Sequence, residues 1–458
     1  MPRSAVAVLD IGKTNAKLAL VDRESGALVD RIATPNTVVR GDVYPHYDVE
    51  RLAAFLFDGL AAFARNATIE VISTTTHGAA VALLDAEGLV LPILDYEHPG
   101  PDAVAQAYRS LRGDFWETFS PDLPAGLNVG RQLYWLEETF PAAFDRASAI
   151  LLYPQYWVWR LCGALVCEPT SLGCHTDLWN PRAGGFSRLA VDRGWARRIP
   201  PLVHPSDTAG PIRPELADRL GLPRGCRVVA GIHDSNASLL PHIVARRPPF
   251  AVLSSGTWLI HFAVGGSIEG LDPARDCLAN TDAFGRPVPS ARYMAGREYD
   301  ILTGGLRGEP TPAEIARVVA AGIMALPSFA GRTGPFGLGE GRWTVDPATL
   351  SAGERIAAAS LYSALVSTTC LALTGADGPS IVEGPVSRNA VYLAALARLT
   401  GRPVIARPDA TGTTEGAALL AAGPRAAPPP LDDPAPVAPL PIDLSAYAAA
   451  WRRAAEEG

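Results

Sequence analysis

The sequence contains almost no lysine, although arginine is common. Of its 40 lysine and arginine residues only Lys13 and Lys17 are lysines, and they lie four positions apart. Basic stripes are missing as well, because the remaining basic residues are dispersed and the net charge is −7. This charge balance argues against a nucleic acid or an anionic membrane surface as the partner.

Paired cysteines and leader-like segments are also missing. The six cysteines are scattered without the spacing of zinc or redox sites, which favours free thiols in a reducing compartment. No signal-peptide pattern precedes the first predicted strand. The longest uncharged run, residues 356–376, contains several serines and threonines, so we expect a buried helix instead of a membrane span. We therefore expect a cytoplasmic protein.

Both lysines lie in an apolar segment whose pattern predicts a strand, a turn and a second strand. Asp10 ends the first strand, and Gly12 and Thr14 follow in the turn. Backbone N–H groups near a glycine, a hydroxyl and mobile ammonium groups are what a phosphate needs. The alternative is an ordinary hairpin with solvated lysines, which the clustering of both lysines at one turn disfavours.

The same segment recurs in the second half of the chain. Residues 6–14 align without gaps with residues 250–258, and residues 18–20 align with residues 262–264. An internal repeat indicates a duplicated structural unit. It predicts two related lobes, each with a glycine turn, and a nucleotide polyphosphate between them. Chance similarity of two short apolar hairpins is the alternative.

Length and pattern predict two α/β domains. A chain of 458 residues exceeds the size of one ordinary core. Strand-like runs alternate with a helical stretch at residues 49–64, which is typical of an α/β domain. A turn-rich joint follows residue 245, so the expected domains are residues 1–246 and 247–458.

Asp234 is the first candidate for chemistry. It follows an apolar strand and precedes a predicted helix, so it stands where open α/β sheets present their ligands. A carboxylate there could accept the proton of a substrate hydroxyl that attacks a γ-phosphoryl group. The alternative is a helix-capping aspartate, and the residue pattern leaves both open.

Further candidates stand at the ends of other predicted strands. Glu383-Gly384-Pro385 precedes a helix and suits the ribose or a phosphate of a nucleotide, and residues 411–418 repeat this arrangement. Neither is a complete dinucleotide or P-loop fingerprint. His77 and Asp95 offer polar groups to a hydroxyl-rich ligand, although His77 could equally be a satisfied core histidine.

In this order the motifs resemble those of the FGGY carbohydrate kinases, within the superfamily of actin, hexokinase and the heat-shock-70 ATPases. The resemblance spans nearly the whole chain. Residues 253–258 are similar to the second phosphate motif of the family as it appears in rhamnulokinases. It implies an α/β protein of two duplicated actin/hexokinase-like, ribonuclease H-like ATPase lobes with a cleft between them. It further implies ATP and Mg²⁺ as cofactors, phosphorylation of a primary hydroxyl of a small ketose related to rhamnulose, fuculose or a pentulose, and a possible homodimer.

The resemblance also assigns roles to residues. Asp10 would hold the magnesium, and Asp234 would be the catalytic base. The nucleotide-binding residues would be Gly12, Lys13, Thr14, Lys17, Gly256, Thr257, Gly384, Asn389, Gly412 and Glu415. The sugar-binding residues would be Thr76, His77, Asp95 and Asp234.

The chain departs from the family pattern at three places. Lys13 stands where threonine or serine is usual, Gln132 replaces the signature lysine, and residues 383–385 replace a run of glycines. Two other functions compete with the kinase: an actin-like or heat-shock-70-like ATPase switch without a small-molecule acceptor, and a sugar-binding protein that uses no phosphate.

Overall fold

The computed structural model describes residues 3–256, 258–331, 333–337, 339–408, 412–423, 431 and 433–457. They form two compact units. The first unit comprises the described residues of 1–244, together with those of 279–287 and 411–429. The second unit comprises the described residues of 245–278, 288–410 and 430–458.

Strands and helices alternate through the first half of the chain. The strands are β1 (Arg3–Ile11), β2 (Asn15–Asp22), β3 (Leu28–Pro35), β4 (Val38–Arg40), β5 (Pro45–Tyr47), β6 (Ala67–Thr76), β7 (Val81–Leu84), β8 (Ala149–Leu152), β9 (Trp179–Asn180), β10 (Gly185–Phe186), β11 (Thr208–Pro211), β12 (Arg227–Val229) and β13 (Ile232–His233). The helices are α1 (Val49–Ala64), α2 (Ala105–Leu111), α3 (Phe115–Thr118), α4 (Val129–Thr139), α5 (Pro141–Arg146), α6 (Tyr153–Cys162), α7 (Pro169–Leu172), α8 (Arg188–Asp192), α9 (Pro214–Leu220) and α10 (Asp234–Ala245).

The second half has fewer strands and longer helices. The strands are β14 (Phe250–Ser255), β15 (Leu259–Val264), β16 (Cys277–Thr281), β17 (Pro287–Tyr293), β18 (Ala325–Leu326), β19 (Arg342–Trp343), β20 (Ser380–Glu383) and β21 (Val404–Arg407). The helices are α11 (Ala295–Thr303), α12 (Pro312–Ala320), α13 (Ala352–Leu373), α14 (Ala390–Thr400), α15 (Gly412–Leu419) and α16 (Ser445–Glu456). Helix α15 belongs to the first unit.

The sheet of the first unit has the order β11-β12-β6-β1-β2-β3, and β13 also pairs with β6. Strand β1 is antiparallel to β2 and parallel to β6. Its residues from Ala5 to Ile11 are all buried. Such a continuous apolar run is typical of a central strand that is covered on both faces.

The sheet of the second unit repeats this topology. The order β17-β15-β14-β20-β21 reproduces β3-β2-β1-β6-β12, with two antiparallel pairings followed by two parallel ones. The hairpin β14–β15 corresponds to the hairpin β1–β2. The predicted repeat and the predicted pair of duplicated α/β lobes are therefore confirmed.

The long uncharged run forms α13, and a capping box of Ser351 and Glu354 begins this helix. By length and composition α13 could cross a membrane, but 83% of its most apolar window is buried inside the protein. Its hydroxyl groups bond to backbone carbonyls one turn earlier, as Ser360 does to Ile356 O at 2.8 Å, so they need no water. The prediction of a buried core helix is confirmed.

Candidate active site

Three parallel strands of the first unit bring the candidate residues to one edge of the sheet. The register pairs Asp10 of β1 with Thr75 of β6, and His233 of β13 with Thr76 of β6. The carboxyl ends of neighbouring parallel strands meet at the same edge, where open α/β sheets bind their ligands. Asp234 directly follows β13 and lies at this edge.

Asp10 is a buried carboxylate with one cationic partner. Its side chain is 6% exposed, and Lys17 Nζ lies 3.3 Å from Asp10 Oδ2. Lys17 reaches it because the two residues face each other across the hairpin β1–β2. Burial raises the pKa of Asp10 above its ordinary value, the charge of Lys17 lowers it, and the neighbouring charge of Asp234 raises it further.

Asp234 begins α10 and keeps part of its carboxylate accessible. Its side chain is 29% exposed. It accepts hydrogen bonds from Ser235 N at 2.6 Å and from Ser235 Oγ at 3.2 Å. Burial raises the pKa of Asp234, and the interaction with His77, the hydrogen bonds from Ser235 and the charge of Lys17 oppose this shift. The partial exposure leaves one face of the carboxylate open to a ligand.

His77 follows β6 at the same edge and is 5% exposed. Its backbone N donates to Ile11 O at 2.9 Å, and its Nδ1 lies 2.7 Å from Gly78 O. A proton on Nδ1 makes this contact a hydrogen bond and leaves Nε2 as an acceptor. Burial lowers the pKa of His77 to about 4, so the ring is neutral at pH 7. In the described part of the chain, Nε2 is buried without a hydrogen-bond partner.

Three tyrosines surround the His77 ring, and we call these four rings the aromatic cluster. The centroids of Tyr47, Tyr96 and Tyr153 lie 5.0, 5.5 and 5.1 Å from that of His77. The sequence did not single out Tyr47. The only local signal for Tyr47 is its place at the end of the short strand β5, which says nothing about the histidine it contacts.

Lys13 enters the aromatic cluster from the turn between β1 and β2. Its Nζ contacts the carboxylate of Asp95 and lies 3.6 Å from Glu97 Oε2. The same ammonium lies 4.8 Å from the centroid of Tyr96 and 5.2 Å from that of Tyr47. Both lysines of the chain thus form ion pairs at the candidate site, contrary to the solvated hairpin considered as the alternative.

Close packing fixes the loop that carries Asp234. A Cβ added at Gly78 would lie 2.6 Å from His233 Nε2, so a larger residue at position 78 would displace the His233 ring where these two loops meet. The backbone N of His233 donates to Thr170 Oγ1 at 3.0 Å. Thr170 is held in turn by the buried carboxylate of Glu168, which accepts from Thr170 N at 2.6 Å. These contacts position Asp234 from the neighbouring loops.

Other predicted residues have structural partners. The buried Gln132 donates through Nε2 to Ala79 O at 2.6 Å and to Gly126 O, so the residue that replaces the family lysine fixes the turn after His77. Thr76 is fully buried, and its hydroxyl donates to His77 O at 2.9 Å. Gln132 and Thr76 therefore shape the site through the backbone.

The second unit contains a cavity of about 1160 Å³ near the ends of β14 and β20. Ser255, Gly256, Pro385 and Asn389 are among the residues that line it. Its volume slightly exceeds the range of about 300–1,000 Å³ that is typical of pockets for small molecules. Asn389 caps α14 by accepting from Tyr392 N at 3.0 Å, so its side-chain oxygen is already engaged.

Gly384 connects β20 with this cavity at a position where only glycine fits. Its φ is +76°, and an added Cβ would lie 2.1 Å from Ser255 O. Ser255 Oγ donates to Glu383 O at 2.6 Å and so joins the two strand ends. Glu383 is buried and pairs with Arg407 Nη1 at 3.2 Å. Glu383 and Gly384, which belong to the segment that replaces the family's run of glycines, are therefore held by contacts with the neighbouring strands β14 and β21.

Two of the predicted nucleotide-binding residues lie away from this cavity. Thr257 is outside the described residues. Gly412 and Glu415 belong to α15 of the first unit and are not among the described residues that line the cavity. Helix α15 packs on α10, where Thr413 Oγ1 lies 2.9 Å from Ser238 Oγ.

A divalent metal would find a pair of carboxylates at this edge. Among the described residues, no group of three or more His, Cys, Asp and Glu side chains is arranged to hold a metal. Mg²⁺ commonly uses only one or two protein carboxylates and takes its other ligands from water and substrate phosphates. Asp10 and Asp234 fit this requirement, because burial raises the pKa of both carboxyl groups and the charge of Asp234 also raises the pKa of Asp10, so a cation would stabilise their ionised forms.

Comparison with known proteins decides the family. The description "FGGY family of carbohydrate kinases, N-terminal domain" matches residues 5–241, and "Carbohydrate kinase FGGY, C-terminal domain" matches residues 247–429. The chain belongs to the FGGY family of carbohydrate kinases. The predicted family is thus confirmed, and both halves of the chain contribute to the match.

Similar FGGY proteins include L-fuculokinase of Salmonella typhi, which is 28% identical over 59% of this chain and 58% of its own length. A probable L-xylulose kinase of Pasteurella multocida is 30% identical over 31% of this chain and 29% of its own length. The chain therefore spans just over half the length of the L-fuculokinases that it matches.

Solved structures cover more of the chain. A carbohydrate kinase from Novosphingobium aromaticivorans is 38% identical, with a TM-score of 0.88 over 98% of this chain and 100% of that chain. Xylulose kinase from Lactobacillus acidophilus is 16% identical, with a TM-score of 0.82 over 99% of this chain and 96% of that chain. The latter similarity concerns the fold alone.

Proposed function

We propose that the protein is an ATP-dependent sugar kinase that transfers the γ-phosphate of ATP to a primary hydroxyl of a small ketose. One observation carries this proposal: Asp234, a partly accessible carboxylate, lies with Asp10 and His77 at the carboxyl edge of parallel strands in an FGGY-family chain. Phosphoryl transfer needs mainly positioning and charge stabilisation, and these groups supply both.

Asp234 would act as the general base. Its raised pKa brings the carboxylate closer to the range in which it can take a proton from a hydroxyl at neutral pH. Asp10 would hold Mg²⁺, which when bound would neutralise charge on the transferred phosphate. Lys17, which already pairs with Asp10, would contribute a cation to the same region, together with Gly12 and Thr14 of the turn.

The nucleotide would occupy the cavity of the second unit. Gly256 and Asn389 line this cavity, and Gly384 shapes it from the end of β20. A glycine with positive φ beside a helix start lets a ligand approach the backbone closely. Thr257, Gly412 and Glu415 remain predicted nucleotide-binding residues without support from this cavity.

The acceptor would bind at the aromatic cluster. Sugars combine hydroxyl groups with apolar faces, and a buried histidine acceptor among tyrosine rings suits both. The names of the similar L-fuculokinase and probable L-xylulose kinase favour a ketose of the fuculose or pentulose kind. The resemblance of residues 253–258 to rhamnulokinases adds rhamnulose to these candidates. His77, Asp95 and Asp234 are the proposed sugar-facing residues, and Thr76 would act on the sugar site through its hydrogen bond to His77 O.

ADP release in the presence of ATP, Mg²⁺ and a panel of ketoses, aldoses and polyols tests this function. Sugar-stimulated release supports a kinase, slow release without stimulation supports an ATPase switch, and absence of nucleotide binding refutes both.

We expect Asp234→Asn to lower kcat by roughly 10²- to 10⁴-fold with little change in ATP affinity. Asp218→Asn, at an exposed ion pair with Arg224, is the matched control.

A folded Asp234→Asn protein with normal turnover would reduce Asp234 to a helix-terminal residue and overturn its assignment. The possible homodimer stays a prediction, and light scattering on the eluted protein would test it.

A further inference from the structure

The two lysines of the turn engage different carboxylates. Lys17 Nζ lies 3.3 Å from Asp10 Oδ2, whereas Lys13 Nζ contacts Asp95 Oδ1. A second carboxylate oxygen, Glu97 Oε2, lies 3.6 Å from Lys13 Nζ. Although the lysines are only four positions apart on the hairpin, their charges therefore lie in two different parts of the first unit.

Aromatic faces hold Lys13 in its position. Its Nζ lies 4.8 Å from the centroid of Tyr96 and 5.2 Å from that of Tyr47, distances at which ring quadrupoles attract a cation. The hydroxyl of Tyr47 lies 3.4 Å from Asp95 Oδ1. The side chains of Lys13 and Asp95 are 21% and 10% exposed, so this ion pair is largely buried and still accessible to a ligand.

The aromatic cluster joins this ion pair to an unused acceptor. Tyr47 and Tyr96 contact both Lys13 and the ring of His77. His77 Nε2 is buried and has no hydrogen-bond partner in the part of the chain that the structure describes. A ligand at these rings would meet an ammonium donor, a carboxylate acceptor and an imidazole acceptor, which is a set suited to several hydroxyl groups.

We propose that Lys13 and Asp95 form a donor–acceptor pair that binds neighbouring hydroxyl groups of a neutral sugar, and that Lys13 determines acceptor specificity instead of binding the phosphates of ATP. This inference rests on the proposed function. Two carboxylates beside one ammonium leave no net positive charge for an anion, so a phosphate or a sugar acid is disfavoured. A wrong epimer would leave the pair without its hydroxyl partners.

Lys13→Thr tests the assignment, since threonine or serine is usual at this position of the family motif. For the best substrate among L-fuculose, L-rhamnulose and L-xylulose, we expect KM to rise roughly 10- to 100-fold, while KM for ATP changes by less than about threefold. Selectivity between epimers should shrink as well. Lys13→Arg keeps the charge and should recover part of the loss.

Arg40→Thr is the matched control, because it removes the same charge from the exposed end of β4 in the same unit. It should change neither KM. Thermal melting shows whether each variant is folded, and calorimetric titration of the same ketose without nucleotide measures its affinity independently of turnover. Lys13→Thr should weaken this binding as much as it raises KM.

Two results would overturn the inference. One is a higher KM for ATP with unchanged sugar binding in Lys13→Thr, which would make Lys13 a phosphate ligand. The other is equal affinity of wild-type and Lys13→Thr protein for every ketose titrated, including no affinity in either. Absence of sugar-stimulated ADP release in the wild type refutes the proposed function separately, because the titration still decides whether Lys13 contributes to sugar binding.

Discussion

Asp10 and Asp234 share one electrostatic environment in the first unit. The charge of Asp234 raises the pKa of Asp10, and Lys17 is a nearby residue whose charge lowers the pKa of both carboxyl groups. Burial acts in the opposite direction and raises both pKa values. The ionisation of the proposed base therefore depends on a lysine that belongs to a different strand.

Removing this cation should shift the acid limb of the pH profile. Lys17 lowers the pKa of Asp234, so Lys17→Met should raise it and the base should become protonated at a higher pH. We expect the acid limb of kcat, measured at saturating ATP and sugar, to move to higher pH. The surface variant Arg40→Met serves as the control. If the acid limb of kcat stays at the same pH in Lys17→Met, the charge of Lys17 does not influence the ionisation of Asp234.

The local part of this site was predictable from the sequence, and the long-range part was not. Asp10 and Lys17 are seven residues apart on one hairpin, so the strand–turn–strand pattern already implied that they face each other. The contact of Lys13 with Asp95 joins residues 82 positions apart. No periodicity or turn signal reports such a contact, and the motif alone grouped Lys13 with the phosphate ligands.

At the scale of elements, the parallel pairing of β14 with β20 brings Ser255 beside Gly384. Ser255 belongs to the repeated turn, and Gly384 belongs to the segment that departs from the family glycines. The close backbone approach explains why a glycine remains at 384 although its neighbours have changed. The cavity of the second unit depends on this junction, because both segments contribute to its lining.

Gly384→Ala should therefore impair nucleotide binding. The new Cβ would meet Ser255 O at 2.1 Å, in addition to the strain of a positive φ of +76°. Gly401→Ala is a matched control, since Gly401 has a φ of +66° in the same unit but nothing within 4 Å of its added Cβ. We expect calorimetry to show at least about tenfold weaker ATP binding for Gly384→Ala only. Equal losses would assign the effect to backbone strain.

The elements themselves were largely predictable. The alternating apolar runs and the helix at residues 49–64 were expected, and α1 spans these residues. The position of α15 was not expected, because chain order places it after β21 of the second unit while it contacts β1, β6 and α10 of the first unit. Close packing explains this position: a Cβ at Gly416 would lie 1.8 Å from Ala237 O.

At the scale of the whole molecule, each unit contains a histidine that is buried in its neutral form. Burial lowers the pKa of His77 to about 4 in the first unit and that of His261 to about 3 in the second. His261 stacks on Tyr293 at 6.0 Å and is fully buried. In both units, protonation of a buried histidine at low pH would therefore destabilise the folded state.

Stability should fall as the pH is lowered from about 6.5, the ordinary pKa of histidine. Below this pH the unfolded chain binds a proton at His261 that the folded protein excludes, so the free energy of unfolding decreases down to about pH 3. We expect His261→Phe to reduce the loss between pH 7 and pH 4.5 by about 2 to 3 kcal/mol. Urea unfolding of wild-type and variant protein at both pH values measures it, and parallel losses would contradict the prediction.

The ion pairs of Lys13 and Lys17 also determine how the protein can be labelled. Apart from the α-amino group, every amine of the chain lies in the candidate active site, where its partner is Asp95 or Asp10. Amine-reactive dyes and amine-coupled sensor surfaces would therefore modify the site that they are meant to report on. Conversely, the rate at which such a reagent attaches to each lysine becomes a direct, residue-resolved measure of which ligand covers which ammonium group.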